Sequence, residues 1–200
     1  MAVKRVIDVA GSAIALVVLS PLLLVLAAAV VIDSGRPVLF RQVRLGRALS
    51  EFRVIKFRTM KFGAAPDMHR EYIAKLAAGM VGEDGLKKLT ADPRVTRIGR
   101  FLRKTSLDEL PQLANVFLGH MSLVGPRPAL DYELEHYRER HFERFAVKPG
   151  ITGLWQVSGR STLGFTEMLD LDADYARTGG PLTDLKILAK TPMAAISKAA

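Results

Sequence analysis

The sequence predicts a mainly α-helical fold with short β-strands, an α+β chain built in two parts. Residues 9–32 form a run of 24 residues without a charge, which is long enough to enter a bilayer as helix. The rest of the chain combines helical periodicity with short runs of β-branched and aromatic residues. We therefore divide the chain into a membrane segment, residues 1–34, and a polar domain, residues 35–200.

The composition favours one basic domain that attracts anions. With 200 residues the chain is long enough for one hydrophobic core of ordinary size. Its 29 Lys and Arg residues outnumber its 20 Asp and Glu residues, and a formal charge of +9 suits nucleic acid, acidic lipid headgroups or phosphorylated substrates. Because the chain has no cysteine, a disulfide framework and a thiolate zinc site are excluded.

A Ser-Pro pair near the middle of the apolar run determines how the run meets the membrane. Pro21 lacks an N–H and clashes with the carbonyl of Val17, so the helix bends or breaks there, and Ser20 can satisfy the freed carbonyl. Lys and Arg favour the cytoplasmic side, and they flank both ends of the run at Lys4, Arg5, Arg36, Arg41, Arg44 and Arg47. Basic flanks on both ends suit a re-entrant hairpin with its elbow at Ser20 and Pro21, which returns the chain to the side that it entered from. A single spanning helix with a proline kink stays open, because short basic tails do cross membranes.

The segment after the apolar run predicts a basic β-hairpin. Residues 38–43 and 52–57 are rich in β-branched and aromatic residues and flank a turn that contains Gly46. The polar positions of this hairpin are mostly cationic: Arg41, Arg44, Arg53, Lys56 and Arg58. They form either a solvated basic face near acidic lipid or, at Lys56 and Arg58, a pair of side chains that turn inward toward a phosphate.

Five further helices are predicted, at residues 67–78, 95–104, 129–145, 165–177 and 182–196. The second of these is basic and amphipathic, which is typical either of a helix at the bilayer surface or of an ordinary helix that covers the core. The last is apolar enough to rest on a membrane surface. A strand is predicted at 154–157 with Trp155 in the core, and residues 79–93 are predicted as an exposed loop without an assigned function.

Residues 103–128, RKTSLDELPQLANVFLGHMSLVGPRP, carry the candidate chemistry. Two adjacent carboxylates, Asp108 and Glu109, are bracketed by Arg103 and Arg127. An ionised carboxylate attacks phosphorus without a base and forms an acyl phosphate, which splits one difficult transfer into two easier ones. The repulsion between two anions has to be offset by a divalent cation and by guanidiniums. Asp108 and Glu109 offer hard oxygen ligands for Mg²⁺, and the two arginines offer planar forks for phosphate oxygens.

The acidic pair also has a purely structural interpretation. Ser106 and Glu109 match a capping box at a helix start, where acidic residues are expected from the helix dipole. With Asp108 as the cap instead, Pro111 falls in the first turn, where its missing N–H is dispensable. Nearby N–H groups would then keep the Asp108 carboxylate ionised.

A second candidate site is the rigid loop at Pro126, Arg127 and Pro128. Each proline fixes its own φ and restricts the residue before it, so Arg127 has little freedom, which suits recognition of a nucleotide phosphate or base. The alternative is a helix start with Arg127 in solvent. Arg160, after Gly159 at the end of the predicted last strand, is a further candidate for contact with a substrate phosphate.

Taken in order, the motifs resemble those of the monotopic phosphoglycosyl transferases in the bacterial sugar transferase family. Ser20 and Pro21 in the apolar run are followed by QVRLG at 42–46, KFRTM at 56–60, LDELPQL at 107–113, MSLVGPRP at 121–128, KPGITG at 148–153, and Gly159 with Arg160. These motifs cover about residues 4–187, and six in register are specific where one would be weak. Leu49, His120 and Ser161 depart from the family pattern and leave the identity of the sugar open.

The resemblance implies a re-entrant helix-break-helix at residues 1–34 and a cytosolic catalytic domain at 35–200 that rests on the membrane through amphipathic helices. It implies a monotopic enzyme at the cytoplasmic face of the bacterial inner membrane, with a cytoplasmic N-terminus, similar to the minimal family members that lack a large N-terminal membrane domain. Sugar 1-phosphate would pass from a UDP-sugar to undecaprenyl phosphate by a ping-pong mechanism, with release of UMP, a covalent Asp108 intermediate and Mg²⁺. Arg103 is implied in lipid phosphate binding and Arg127 in nucleotide binding.

Two other classes of function are weighed against this one. A membrane-anchored nucleic-acid-binding module would explain the charge, but the sequence has no recognisable binding motif or aromatic stacking platform. A noncatalytic scaffold of a glycan assembly complex would use the same fold without chemistry. The partners expected are therefore a UDP-sugar, undecaprenyl phosphate and membrane lipids, with a homodimer left open and no nucleic acid.

Overall fold

The computed structural model describes residues 2–61, 67–78, 92–159 and 163–196. The helices in these ranges are α1 (Ala2–Val18), α2 (Ser20–Ser34), α3 (Asp67–Ala77), α4 (Arg97–Thr105), α5 (Gln112–Leu118), α6 (Leu154–Ser158), α7 (Phe165–Thr178) and α8 (Pro181–Ile196). The strands are β1 (Leu39–Leu45), β2 (Glu51–Phe57), β3 (Ser122–Val124) and β4 (Gly150–Thr152). The predicted mainly α fold with short strands is confirmed for the described residues.

The apolar run forms two helices that are bent by 62° relative to one another. Pro21 lies at the start of α2, where no intrahelical N–H is required of it. Ser20 Oγ donates a hydrogen bond to the carbonyl oxygen of Val17 at 2.7 Å, as the sequence predicted. Among the described helices, none is long and apolar enough to cross a membrane alone, and only the bent pair α1–α2 passes a length and composition test together.

The first turns of α1 are fastened to the polar domain by charged side chains. Lys4 Nζ lies 2.6 Å from Asp184 Oδ2 in α8. Asp8, which is buried, accepts hydrogen bonds at 2.9 Å from both Ser122 Oγ and the Leu123 N–H in β3. A buried carboxylate is tolerated when it is hydrogen-bonded in this way. Asp8 therefore joins α1 to β3 by two hydrogen bonds.

The far end of α2 returns to the same domain. Asp33 Oδ2 accepts a hydrogen bond from the Ile98 N–H at the start of α4 at 3.0 Å. The buried guanidinium of Arg58 donates to the carbonyl oxygens that end α2 and follow it, those of Ser34 at 2.6 Å, Gly35 at 2.6 Å and Arg36 at 3.0 Å. A cation at these carbonyls suits the negative end of a helix dipole. Both ends of the bent pair therefore contact one domain.

The predicted basic hairpin is confirmed. Strands β1 and β2 are antiparallel, with Leu39 opposite Phe57 and Leu45 opposite Glu51. The outer edge of β2 is covered by Asn115 of α5, whose Oδ1 accepts from the Ile55 N–H at 3.0 Å and whose Nδ2 donates to the Arg53 carbonyl at 2.8 Å. The expected solvated basic face holds for Arg41 and Arg53, which are exposed, but not for Arg44 and Arg58, which are buried and bond to main-chain carbonyls.

A short parallel pair, β3 and β4, joins two of the sequence motifs. Ser122 lies opposite Gly150, and the Gly150 N–H donates to the Pro126 carbonyl at 2.8 Å. A Cβ on Gly150 would lie 2.1 Å from the Gly125 nitrogen, so no larger residue fits at this approach of two backbones. The motifs MSLVGPRP and KPGITG therefore form one structural unit.

Two predicted elements differ from the structure. The strand expected at 154–157 is helix α6, because β4 already ends at Thr152 and the chain then turns to bury Trp155, which is in the core as predicted. The single helix expected at 129–145 is two 3₁₀ segments, Asp131–His136 and Glu139–Ala146.

The break in that helix has a local cause. Each 3₁₀ segment begins with a bond from a backbone N–H to a side chain three residues later. The Leu130 N–H donates to Glu133 Oε2 at 3.2 Å, and the Arg138 N–H donates to His141 Nδ1 at 3.1 Å. Such side-chain bonds compete with helix continuation. The helices predicted at 67–78, 95–104, 165–177 and 182–196 are confirmed by α3, α4, α7 and α8, and residues 79–91 of the predicted loop lie outside the described residues.

Substitution of Gly99 by alanine should destabilise the fold. The new Cβ would lie 2.1 Å from the Thr59 carbonyl oxygen, so α4 would have to move away from the end of β2. We expect a loss of about 1–3 kcal/mol in the free energy of unfolding, seen as a lower melting temperature of the detergent-solubilised protein. The matched control is Gly180→Ala, where nothing lies within 4 Å of the new Cβ. Equal melting temperatures for the two variants would contradict the packing argument.

Candidate active site

Asp108 and Glu109 lie in a single 3₁₀ turn, Leu107–Glu109, between α4 and α5. Ser106 ends α4 in the left-handed conformation, with φ of 57°, and α5 begins only after Pro111. Neither helix-cap interpretation holds for α5: Ser106 ends α4 and precedes the 3₁₀ turn without a side-chain capping bond, and Asp108 precedes α5 by a full turn. The left-handed Ser106 ends α4, and Pro111, which has no N–H, immediately precedes the first residue of α5.

The carboxyl group of Asp108 is half-buried, and this burial dominates its electrostatics. Desolvation and the neighbouring charge of Glu109 raise the pKa of Asp108 from 3.8 to about 6, whereas Lys56 and Arg103 act in the opposite direction. Backbone hydrogen bonding favours the ionised form, as expected, but it lowers the pKa of Asp108 less than burial raises it. At neutral pH the side chain is still mostly a carboxylate.

Two cations flank the acidic pair, and they come from different elements. Lys56 Nζ in β2 lies 2.9 Å from Glu109 Oε1, with about a quarter to a third of each side chain exposed. Arg103 in α4 donates from Nε to Thr59 Oγ1 at 2.9 Å, and the charge of Asp108 opposes the lowering of its pKa by burial. The structure thus brings together four of the predicted site residues: Lys56, Arg103, Asp108 and Glu109.

The Pro-Arg-Pro loop lies farther along the same face of the hairpin. Pro126 and Pro128 are buried and Arg127 is exposed. Arg44 Nη1 donates to the Pro128 carbonyl at 3.1 Å, and burial lowers the pKa of Arg44 to about 10, with the charge of Arg127 contributing in the same direction. In the register of the hairpin, Arg44 lies opposite Phe52, which is four residues before Lys56 in β2. Arg44, which contacts the Pro-Arg-Pro loop, is therefore roughly 13 Å from Lys56 along the strand.

Two residues that hold this loop were not found from the sequence. The side chains of Arg144 and Asp172 form a buried ion pair at 2.7 Å, with 3% and 2% of the two side chains exposed. Both contact the backbone of Arg127. A signal for Asp172 did exist: it shares the helical face of Leu169 and Phe165, and an acidic residue on a buried face requires a partner. Nothing in the local pattern identified Arg144 as that partner.

The remaining candidates lie elsewhere. Arg58 contacts the end of α2 rather than the acidic pair, so its role toward a phosphate stays a prediction. Arg160 lies outside the described residues. Ser20 and Pro21 form the bend between α1 and α2.

The donor chemistry at the acidic pair fits Mg²⁺ held jointly with a substrate. In the part of the chain that the structure describes, no group of three or more His, Asp or Glu side chains could hold a metal ion by itself. Mg²⁺ is commonly bound by one or two carboxylates together with substrate phosphate oxygens, and Asp108 and Glu109 supply two adjacent carboxylates. The charge of Glu109 raises the pKa of Asp108, and a nearby cation would relieve that repulsion.

Comparison with known proteins places this arrangement in a family. The model of the bacterial sugar transferase family matches residues 1–198. The chain is 42% identical over 188 residues to the UDP-galactose-lipid carrier transferase of Erwinia amylovora, with 94% of the chain and 39% of that protein covered. It is 41% identical over 188 residues to the undecaprenyl-phosphate galactose phosphotransferase of Salmonella typhimurium, with 94% and 39% covered.

A shorter relative is covered over most of its length. The exopolysaccharide production protein ExoY of Rhizobium meliloti is 38% identical over 198 residues, with 94% of the chain and 83% of that protein covered. The chain thus spans about two fifths of the two longer relatives and most of this one. On the family match over nearly its whole length, the chain belongs to the bacterial sugar transferase family.

Proposed function

We propose that this chain transfers sugar 1-phosphate from a UDP-sugar to undecaprenyl phosphate, as the first step in the synthesis of a bacterial glycan. The observation that carries the proposal is the half-buried carboxylate of Asp108, held beside Lys56 and Arg103 with a pKa of about 6. The names of the relatives support the two substrates, since they refer to UDP-galactose, a lipid carrier and undecaprenyl phosphate.

In the first half-reaction, an Asp108 carboxylate oxygen attacks the sugar-bearing β-phosphorus of the UDP-sugar. The bond from that phosphorus to the bridging oxygen breaks, UMP leaves, and an acyl phosphate of Asp108 that carries the sugar remains. No proton has to be removed from the nucleophile, because it is ionised at neutral pH. Lys56 and Arg103 offset the repulsion between the carboxylate and the diphosphate.

In the second half-reaction, a phosphate oxygen of undecaprenyl phosphate attacks the phosphorus of this acyl phosphate. The bond from phosphorus to the Asp108 oxygen breaks, the Asp108 carboxylate is regenerated, and the sugar leaves as a polyprenyl diphosphate derivative. Arg103 is assigned to the lipid phosphate, since its charge acts on Asp108, where that phosphate would attack. Arg127 is assigned to the nucleotide, in line with its exposed side chain on a rigid loop.

Mg²⁺ belongs to the proposal as a cofactor. Asp108 and Glu109 would hold it together with substrate phosphate oxygens, and it would supply positive charge where the anions meet. Lys56 already pairs with one carboxylate oxygen of Glu109. Glu109 is therefore suited to positioning the metal ion rather than to proton transfer.

The proposed location is the cytoplasmic face of the bacterial inner membrane, with α1 and α2 as a re-entrant wedge. Support comes from the attachment of both ends of the wedge to one domain. Further support comes from apolar side chains exposed on several helices: Ile14, Val17, Val18, Leu24, Val25, Ile32, Phe101, Phe117, Leu118, Leu182, Leu185 and Met193. An apolar surface of this extent is typical of a membrane contact.

Substitution of Asp108 by asparagine should separate catalysis from stability. We expect no UMP release from a UDP-sugar with Mg²⁺ and no mass increase on the protein, because the amide is not a nucleophile here. The pKa of Asp108 is raised on folding, so ionisation of the native side chain costs stability as pH rises through about 6. The variant should therefore be more stable than the parent chain at pH 7.5, by about 1–2 kcal/mol, and equally stable near pH 4.

Persistent UMP release by the Asp108→Asn variant would refute the nucleophile assignment. A scaffold without chemistry would give no turnover of any UDP-sugar by the parent chain either.

The pH dependence of the first half-reaction provides a second test. Protonation of Asp108 removes the nucleophile, so kcat/KM for the UDP-sugar should fall as pH decreases through about 6. Lys56 lowers the pKa of Asp108, and Lys56→Gln should therefore move this acidic limb to higher pH. The control is Lys75→Gln, which removes an exposed lysine paired with Glu71 in α3. An acidic limb that stays in place in the Lys56 variant would contradict the assignment.

The topology can be tested with a single cysteine, since the chain has none. Position 3 is exposed in α1. In the Val3→Cys variant, a membrane-impermeant maleimide should react only after the cells are broken open, so that the reagent reaches the cytoplasmic face of the membrane. Glu139→Cys, at an exposed position of the domain, should behave identically. Reaction of residue 3 alone from the outside of intact cells would establish a spanning helix instead of a wedge.

A further inference from the structure

The backbone of the Pro-Arg-Pro loop is saturated with hydrogen bonds. Pro126 and Pro128 have no N–H, and their carbonyls accept from the Gly150 N–H at 2.8 Å and from Arg44 at 3.1 Å. The Arg127 N–H donates to Asp172 Oδ2 at 3.3 Å, and the Arg127 carbonyl accepts from Arg144 Nη2 at 2.5 Å. Every backbone donor and acceptor of residues 126–128 is thus engaged, while the Arg127 side chain is exposed.

Arg144 and Asp172 together hold both backbone groups of one residue. Arg144 Nη2 also donates to Asp172 Oδ2 at 2.7 Å, so Asp172 Oδ2 and the Arg127 peptide groups share one buried network. Arg144 comes from the 3₁₀ segment Glu139–Ala146, and Asp172 comes from α7. The guanidinium of Arg144 is fixed further by a hydrogen bond that it donates to the Tyr137 hydroxyl. The loop is therefore held by elements that lie outside its own motif.

This pair is not arranged for the greatest stability. Asp172 Oδ1 is buried and has no hydrogen-bond partner among the described residues. Burial also raises the pKa of Asp172 to about 6, so its ionised form is destabilised in the fold even beside Arg144. Replacement of buried ion pairs by apolar residues of similar volume is often neutral or stabilising. A polar pair at this position accordingly points to a task other than packing.

We propose that the buried Arg144–Asp172 pair is a positioning pair for UDP-sugar binding, which fixes the backbone of Arg127 so that its guanidinium is presented to the nucleotide diphosphate. The inference rests on the proposed function and adds two residues to it. The pair does not touch the substrate: it acts through Arg127. A shift of about 1 Å in a substrate-positioning group can cost about 100-fold in rate, so a fixed backbone matters at this arginine.

The ping-pong mechanism gives the pair a specific kinetic signature. The kcat/KM for each substrate reports only the half-reaction that this substrate enters. Loss of the pair should therefore lower kcat/KM for the UDP-sugar and leave kcat/KM for undecaprenyl phosphate unchanged. A general loss of folding would lower both in proportion, because it reduces the amount of active enzyme.

The test variant is the double substitution Arg144→Met and Asp172→Leu, which removes both charges and keeps the volume. We expect the full chain to fold in detergent, with kcat/KM for the UDP-sugar lower by about 10- to 100-fold. The matched control is Arg140→Gln with Asp174→Asn, an exposed ion pair at 2.6 Å between the same 3₁₀ segment and α7. This control should have the kinetics of the parent chain. If the apolar variant does not fold, Arg144→Lys keeps the buried charge and provides the same comparison.

Coupling to Arg127 distinguishes a positioning role from an independent one. Arg127→Gln alone should lower kcat/KM for the UDP-sugar, and its combination with the apolar variant should cause little further loss, because both act on the same contact. If the loss of kcat/KM in the combined variant equalled the product of the two separate losses, the proposal would be overturned. Equal losses for the UDP-sugar and the lipid phosphate would overturn it as well.

Hydrogen exchange tests the backbone contact without any reference to turnover. The Arg127 amide lies between two prolines and is bonded to the buried Asp172, so it should exchange at least about 10-fold faster in the apolar variant than in the control. An unchanged rate would overturn the inference even if activity fell. If the parent chain released no UMP from any UDP-sugar while the exchange difference were present, the proposed function would fail and the structural contact would stand.

Discussion

The partly desolvated charge of Asp108 is the constraint around which the structure is arranged. Its position depends on β2, which supplies Lys56, and on α4, which supplies Arg103 and closes against the chain at Thr59. α4 is in turn tied to α2 through Asp33. The elements that enclose the carboxylate thus also fasten α2, the second of the bent apolar helices. The proposed chemistry and the proposed depth at the membrane therefore depend on neighbouring contacts.

The sequence was sufficient to predict those elements whose structure depends on local rules alone. Pro21 and Ser20 predicted the bend and the hydrogen bond to Val17, and the alternation of residue types predicted β1 and β2. Prediction failed where a side chain or a distant strand overrode local preference. The helix expected at 129–145 is interrupted by a capping bond to the backbone, and the strand expected at 154–157 had no partner once β4 had ended.

The residue types gathered at the candidate site were predictable from the sequence, but their geometry was not. Adjacent carboxylates with basic residues predicted a charged cluster at Asp108, yet the turn that holds it depends on a left-handed Ser106 that no capping rule anticipates. Arg144 and Asp172 were invisible to motif reasoning because they are 28 residues apart and act on a third segment. Arg58 is the opposite case: it stands in a conspicuous motif, and its guanidinium bonds to a helix end.

The contact between Gly125 and Gly150 restricts how members of this family can exchange parts. Each of these glycines leaves room only for the backbone of the other strand, with Cβ distances of 2.1 Å to 2.4 Å to the nearest atoms across β3 and β4. A chimera that imported the loop after β3 from one relative, with a bulkier residue at either position in the recipient, would force the strands apart. Recombination would therefore have to transfer the Pro-Arg-Pro loop and the KPGITG segment together, whatever happens to the 19 residues between them.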